Sequence, residues 1–147
     1  MRCLRWCLAV AVFAAGCIFT RLLAQTIPPQ VVGATQQLEV GKTIEGQLAG
    51  GQSHEYQFTL AAGQYARLSV EQPTINVAVA VIGPGGAQAF AGDSYGLGAA
   101  EPAELIADTT GTYLLRVTAS EQKAPAGRYE VTLHGTRRFS SRQFWLS

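Results

Sequence analysis

Two histidines, ten acidic residues and three cysteines carry most of the chain's potential for acid–base, nucleophilic or metal chemistry. A serine hydrolase needs a base within hydrogen-bond reach of its nucleophile. Ser53 and His54 are adjacent, and adjacent side chains on a strand face opposite ways. His54 therefore reads as a strand-edge residue, and His134 as a surface residue at the end of a strand. The Gly-x-Ser-x-Gly elbow of hydrolases does not occur. Gly83-Pro84-Gly85-Gly86 lacks the Gly-Lys-Ser/Thr ending of a phosphate loop and precedes no helix. A carboxylate-pair glycosidase needs a cleft for which a domain of this size has little room.

Metal chemistry is similarly thin. Zinc takes three or four nitrogen or sulfur ligands. All three cysteines (Cys3, Cys7, Cys17) fall in the first 17 residues, which leaves two distant histidines. Asp93, Glu101, Glu104 and Asp108 flank two loops and could converge on calcium. They do not follow the Asp-x-Asp-x-Asp spacing of a calcium loop. The expectation is a chain that is not an enzyme, with no catalytic residue, no metal ligand and no cofactor; calcium is the one ion the acids leave open. A cryptic hydrolase is the alternative, to be tested at His54. The loop from Gly92 to Glu104 offers Tyr95, Asp93, Glu101 and Glu104 as binding residues, because binding groups concentrate on loops held by a rigid scaffold.

The elements that must position these residues are strands. His54 to Leu60 alternates, with Tyr56, Phe58 and Leu60 on one face and Glu55, Gln57 and Thr59 on the other. Ala66, Leu68 and Val70 share a side, as do Tyr113, Leu115 and Val117, then Tyr129, Val131 and Leu133. Period-two alternation marks strands with one buried face. Leu38 to Val40, Ile44 to Leu48 and Gln88 to Phe90 read as shorter strands. Ile75 to Ile82 is apolar on both faces and reads as a central strand. Glu101 to Ala107 is the nearest thing to a helix, and strand pairing suits it better. About eight strands without a 3.6-residue period predict an all-β, antiparallel, jelly-roll-like β-sandwich. Gly-x-Tyr opens three of these strands, at Gly63, Gly111 and Gly127, each tyrosine expected to bury its ring and keep its hydroxyl wet or hydrogen-bonded.

Apolar residues make up 48% of the 147 residues and charged ones 14%, enough apolar material for a core. Residues 25–136 hold five basic and ten acidic side chains, a formal charge of 5 − 10 = −5. Nucleic acid is excluded as a partner, since phosphate binding needs clustered Lys and Arg. The N-terminal segment reads as an export signal over 1–24: Arg2 and Arg5, then the uncharged run Leu8 to Phe19, too short to span a membrane. Cleavage is expected after Ala24. Ala14-Ala15-Gly16-Cys17 offers lipidation at Cys17 as an alternative. Residues 25–37, with Pro28-Pro29, read as a linker. Residues 136–147 read as a basic tail in which Phe139, Phe144, Trp145 and Leu146 form a candidate apolar docking surface.

Several segments in order carry a family resemblance: Gly50-Gly51-Gln52-Ser53-His54-Glu55-Tyr56, Leu60-Ala61-Ala62-Gly63-Gln64-Tyr65, Val70-Glu71-Gln72, Gly83-Pro84-Gly85-Gly86, Ile106-Ala107, Gly111-Thr112-Tyr113 and Gly127-Arg128-Tyr129-Glu130-Val131. The set resembles bacterial pre-peptidase C-terminal (PPC) domains over 38–135. It is most similar to those near the N-terminus of exported acidobacterial tetratricopeptide/caspase-like peptidase proteins. The resemblance implies a jelly-roll-like sandwich with an accessory role: assisting secretion, stabilising neighbours, or binding a protein or polysaccharide surface. Calcium and collagen binding, found in some relatives, is not carried over, because no matching acidic cluster is present. Such relatives continue into a helical array, so a truncated N-terminal fragment of a larger protein is the competing expectation. The localisation expected is secreted or periplasmic, without a membrane span in the mature form.

Overall fold

A computed structural model describes residues 29–138. The expected signal over 1–24, the Cys17 lipidation site and the apolar tail residues lie outside that range. Ten strands follow in order: β1 (Gln30–Val31), β2 (Gln36–Gln37), β3 (Thr43–Leu48), β4 (Gln52–Leu60), β5 (Gln64–Glu71), β6 (Val77–Ile82), β7 (Gln88–Gly92), β8 (Ala100–Ile106), β9 (Gly111–Ala119) and β10 (Gly127–Arg138). One sheet has the order β1-β4-β9-β6-β7, with β2 also on β4; the other runs β3-β10-β5-β8.

Among themselves, the eight strands from β3 to β10 pair only antiparallel, as the alternation predicts. The chain changes sheet at each of their connections except β6 to β7. That repeated crossing makes the two sheets one folding unit. The result is the all-β sandwich that the sequence predicts.

Several boundaries differ from expectation. β1 and β2 lie within the segment expected as a linker, and each pairs parallel with β4. Pro28-Pro29 stops short of them, so Gln30 and Val31 keep their main-chain donors. Leu38 to Val40 is no ladder strand: Leu38 is buried, and Val40 makes an isolated bridge to Leu133. The last strand runs through Thr136, Arg137 and Arg138, past a bulge between Leu133 and Gly135. The expected loop shrinks to 93–99, because Ala100 to Glu104 pair with β5 as part of β8.

Between the sheets lies one core. Tyr56, Phe58 and Leu60 meet Leu115, Val117, Val77 and Val81 from the same sheet and Leu68, Val70, Tyr129 and Val131 from the other. Each large side chain so buried contributes roughly 1.5–3 kcal/mol. β6 lies inside its sheet, between β9 and β7. Val77, Val79 and Val81 enter the core, while Ala78, Ala80 and Ile82 stay partly exposed on the outer face. Its apolar character on both sides therefore reflects small outward residues rather than a second buried face.

One close approach decides a residue type. Gly46 pairs with Tyr129 across β3 and β10, and a Cβ on Gly46 would overlap the Tyr129 ring. The ring lies over the space that glycine leaves, an aromatic covering a strand glycine. Gly63, before β5, has φ +75°, which suits the turn that glycine makes without strain.

Candidate functional site

Three loops meet at one end of the sandwich: 72–76, 93–99 and 120–126. Main-chain bonds tie them. Gly98 N–H donates to Gln72 O at 2.8 Å, Gln72 N–H to Ala99 O at 3.1 Å, and Ser120 N–H to Asn76 O at 3.0 Å. Ser120 Oγ–H donates to Asp93 Oδ1 at 3.1 Å.

Two buried polar side chains shape the middle loop. Glu101 is 1% exposed and turns inward from β8. Its Oε2 accepts the N–H groups of Ser94 at 3.0 Å and Tyr95 at 2.9 Å. A carboxylate is costly to bury unless hydrogen-bonded, and these donors offset that cost. Gln72 is also 1% exposed. Its Oε1 accepts Val77 N–H at 2.7 Å, and its Nε2 donates to Tyr95 O at 3.3 Å. The loop is thus held from beneath on both sides of Tyr95.

The large side chains of this loop stand in solvent. Tyr95 is 51% exposed and Leu97 63%. Beside Leu97, a hollow of about 240 Å³ is lined by Thr74, Ile75, Asn76, Glu121, Ala124 and Pro125. That is smaller than the roughly 300–1,000 Å³ of small-molecule sites. Asn76 Oδ1 is buried with no hydrogen-bond partner among the described residues.

The four sequence-chosen binding residues separate. Tyr95 is exposed on the loop, as expected, and Asp93 stands at its start. Glu101 is no surface ligand: it is buried and serves the loop's main chain. The expectation fails because Glu101 pairs with Val70 in the ladder, which turns its side chain to the core. Glu104 faces outward from β8, 3.5 Å from Arg67 Nε, with both side chains more than half exposed. These acids do not converge, and no group of three metal-ligating side chains occurs among the described residues. Alternation does not single out Asn76 or Leu97. For Gln72 a signal exists: the parity of Ala66, Leu68 and Val70 places position 72 on the buried face.

The histidines also differ from expectation. His54 is on the core face of β4, opposite Val117, rather than at an outer edge. Its Nδ1 is hydrogen-bonded to Tyr129 Oη, and Tyr129 Oη is 2.7 Å from Tyr56 Oη. Burial lowers the His54 pKa and raises both tyrosine hydroxyls above their ordinary value, Tyr129 the more strongly. Ser53 faces the other way, fully buried, with no partner for Oγ among the described residues. Ser53 and His54 therefore make no dyad. The close Ser–His pair lies elsewhere: Ser69 Oγ is 2.7 Å from His134 Nε2 on the exposed face of β5 and β10. No carboxylate hydrogen-bonds to His134 among the described residues.

No helix among the described residues is long and apolar enough to cross a membrane.

No family model matches the sequence, and no curated protein matches it. Solved structures do match in fold. The pre-peptidase C-terminal domain of a collagenase from Bacillus anthracis superposes with a TM-score of 0.55 at 23% identity, over 72% of this chain and 96% of that one. PliG of Aeromonas hydrophila, a periplasmic lysozyme inhibitor of g-type lysozyme, gives 0.51 at 18% identity, over 71% and 97%. Near-complete coverage of both domains, with two sheets crossed at almost every connection, makes this chain a PPC-like β-sandwich in fold.

Proposed function

We propose that this chain is a non-catalytic accessory module of the cell envelope, exported through residues 1–24, which binds a protein or polysaccharide surface. The loop tip at Tyr95 and Leu97 is its contact. One observation carries the reading: two fully buried polar side chains, Glu101 and Gln72, hold a loop whose two large apolar side chains stand in solvent. A preorganised loop with an exposed aromatic lowers the ordering cost of binding. One fold neighbour is a pre-peptidase C-terminal domain of a collagenase, and the other is named as an inhibitor. The name of PliG places it in the periplasm with a protein partner, g-type lysozyme. That context supports a secreted or periplasmic location and a protein surface as partner here. Asp93 at the loop base adds a negative charge to the contact.

The test uses the full chain with two immobilised probes, g-type lysozyme and peptidoglycan. The expected result is saturable binding to one of them, weakened at least tenfold by Tyr95→Ala or Leu97→Ser with the unfolding midpoint unchanged. Tenfold corresponds to about 1.4 kcal/mol, within reach of one aromatic anchor. Affinity unaltered by both changes removes the loop tip from the reading.

A further inference from the structure

The four sheet edges are not alike. β1 and β2 are two residues each. β3 carries Glu45, with Lys42 just before it. β8 carries Pro102 and Glu104. Short strands, charges and proline are the usual protections of an edge. β7 is five residues, Gln88-Ala89-Phe90-Ala91-Gly92, uncharged and free of proline; its one irregularity, at Ala89, leaves Phe90 to Gly92 in regular pairing with β6. Among the described residues, no strand pairs with its outer side.

The direction of its main-chain groups follows from the neighbours. Val77 N–H is taken by Gln72 Oε1, and Asn76 O accepts Ser120 N–H from the β9 side. Main-chain groups alternate sides along a strand. Positions 78 and 80 therefore bond β9, and Val79 and Val81 bond β7. Their β7 partners are Gly92 and Phe90. Ala91, between these two, turns its N–H and C=O outward to the free edge.

Space lies on both sides of that edge. On the outer face, Ala78, Ala80, Ala91 and Thr118 form a shelf of small side chains with Asp93 at its end. On the inner side, a groove of about 520 Å³ runs between β7 and β8, lined by Phe90, Tyr95, Pro102 and Glu104. A strand laid along β7 would send alternate side chains to the shelf and into the groove. Asp93 stands at the end of the shelf and Glu104, 3.5 Å from Arg67, lines the groove, in a stretch carrying twice as many acids as bases. Charge complementarity selects a basic occupant.

We propose that the outer edge of β7 is a strand-addition site for an extended, basic peptide segment of another polypeptide, which pairs with the Ala91 main chain. This rests on reading the chain as a binding module, and it names a recognition mode beside the Tyr95 loop tip.

The probe is a fluorescein-labelled peptide of alternating lysine and valine, seven residues long. Its controls are an alternating glutamate–valine peptide and a lysine–valine peptide with central proline. Anisotropy on the full chain is expected to show saturable binding of the first peptide alone, with the largest backbone amide shift at Ala91. Ala91→Pro removes the outward donor, and Ala80→Arg fills the shelf and repels the ligand. Each is expected to weaken binding at least tenfold. Should Ala91→Pro not fold, Ala80→Arg with an unchanged unfolding midpoint carries the test. Absence of binding, wild-type affinity in Ala80→Arg, or shifts centred on the opposite sheet at Glu45, Glu71 and Glu130 would each overturn the site. If lysozyme or peptidoglycan binds the chain, Tyr95→Ala abolishes that binding and the peptide does not bind, strand addition ends and the module reading stands.

Discussion

The Glu101 carboxylate receives the main-chain N–H groups of Ser94 and Tyr95 from inside the sandwich. The loop that carries the exposed aromatic is thus anchored to a buried charge. Glu101→Ala leaves those donors without an acceptor and is expected to destabilise by about 2–4 kcal/mol, while Glu101→Gln retains one acceptor and costs about 1–2 kcal/mol. Denaturant unfolding gives the first quantity. Amide hydrogen exchange at Ser94 and Tyr95 gives the local one, and should rise in both variants. Unchanged exchange there would mean that Glu101 does not hold the loop.

His54, Tyr129 and Tyr56 form a hydrogen-bonded row at the core's edge. Neutral His54 accepts from Tyr129, which then accepts from Tyr56. Protonated His54 must donate to Tyr129 Oη, and one of the two tyrosine protons then loses its acceptor within the row. Burial lowers the His54 pKa below 6.5. A depressed histidine contributes stability that is complete above pH 6.5 and is lost as pH falls through the folded-state value. The denaturation midpoint should therefore drop on acidification below about pH 6.5, and the drop should shrink in His54→Phe. An identical pH profile in that variant would remove His54 as the cause. Tyr129→Phe is expected to cost about 1–3 kcal/mol at neutral pH, since it leaves buried partners unpaired.

Gly46→Ala places a methyl group where the Tyr129 ring lies. Overpacking of this kind costs typically about 1–3 kcal/mol. Pairing the change with Tyr129→Leu should recover part of the loss, because a smaller side chain vacates the space. Strict additivity in the double-mutant cycle would show that the two positions do not compete.

Glu130 has Glu45 opposite it on one side and Glu71 on the other. Like charges directly across a ladder are destabilising. Glu130→Lys turns two repulsions into two attractions and is expected to stabilise by about 0.2–1 kcal/mol per pair. The melting temperature should rise at low salt, and the gain should fade near 1 M salt, where the screening length is about 3 Å. A gain unaffected by salt would assign it to something other than charge.

Ser69 and His134 are the serine–histidine pair in hydrogen-bond contact among the described residues, whereas Ser53 and His54 face opposite sides of β4. Hydrolysis of p-nitrophenyl acetate by the full chain is expected to match that of His134→Ala. A rate abolished in His134→Ala and in Ser69→Ala would move the chain into the enzymes.

Local residue pattern is enough to read the β-sandwich, because a strand with one buried face must alternate every second residue. The stripes Tyr56-Phe58-Leu60 and Leu115-Val117 fall on the core. Parity reaches further than the stripes. It puts Gln72 inside with Val70, and Tyr65 outside, opposite Arg137, although Gly63-Gln64-Tyr65 looks like the openings that bury Tyr113 and Tyr129.

Tertiary packing decided the rest. Glu101 looks like any loop acid until β8 begins at Ala100 and turns it inward. The pairing of His54 with Tyr129 joins two strands of different sheets, 75 residues apart. The bareness of the β7 edge depends on which strands lie beside it. Alternation states which way a side chain points, but it does not state what will be found there. That depends on which distant strand packs opposite, a long-range outcome that no local pattern encodes.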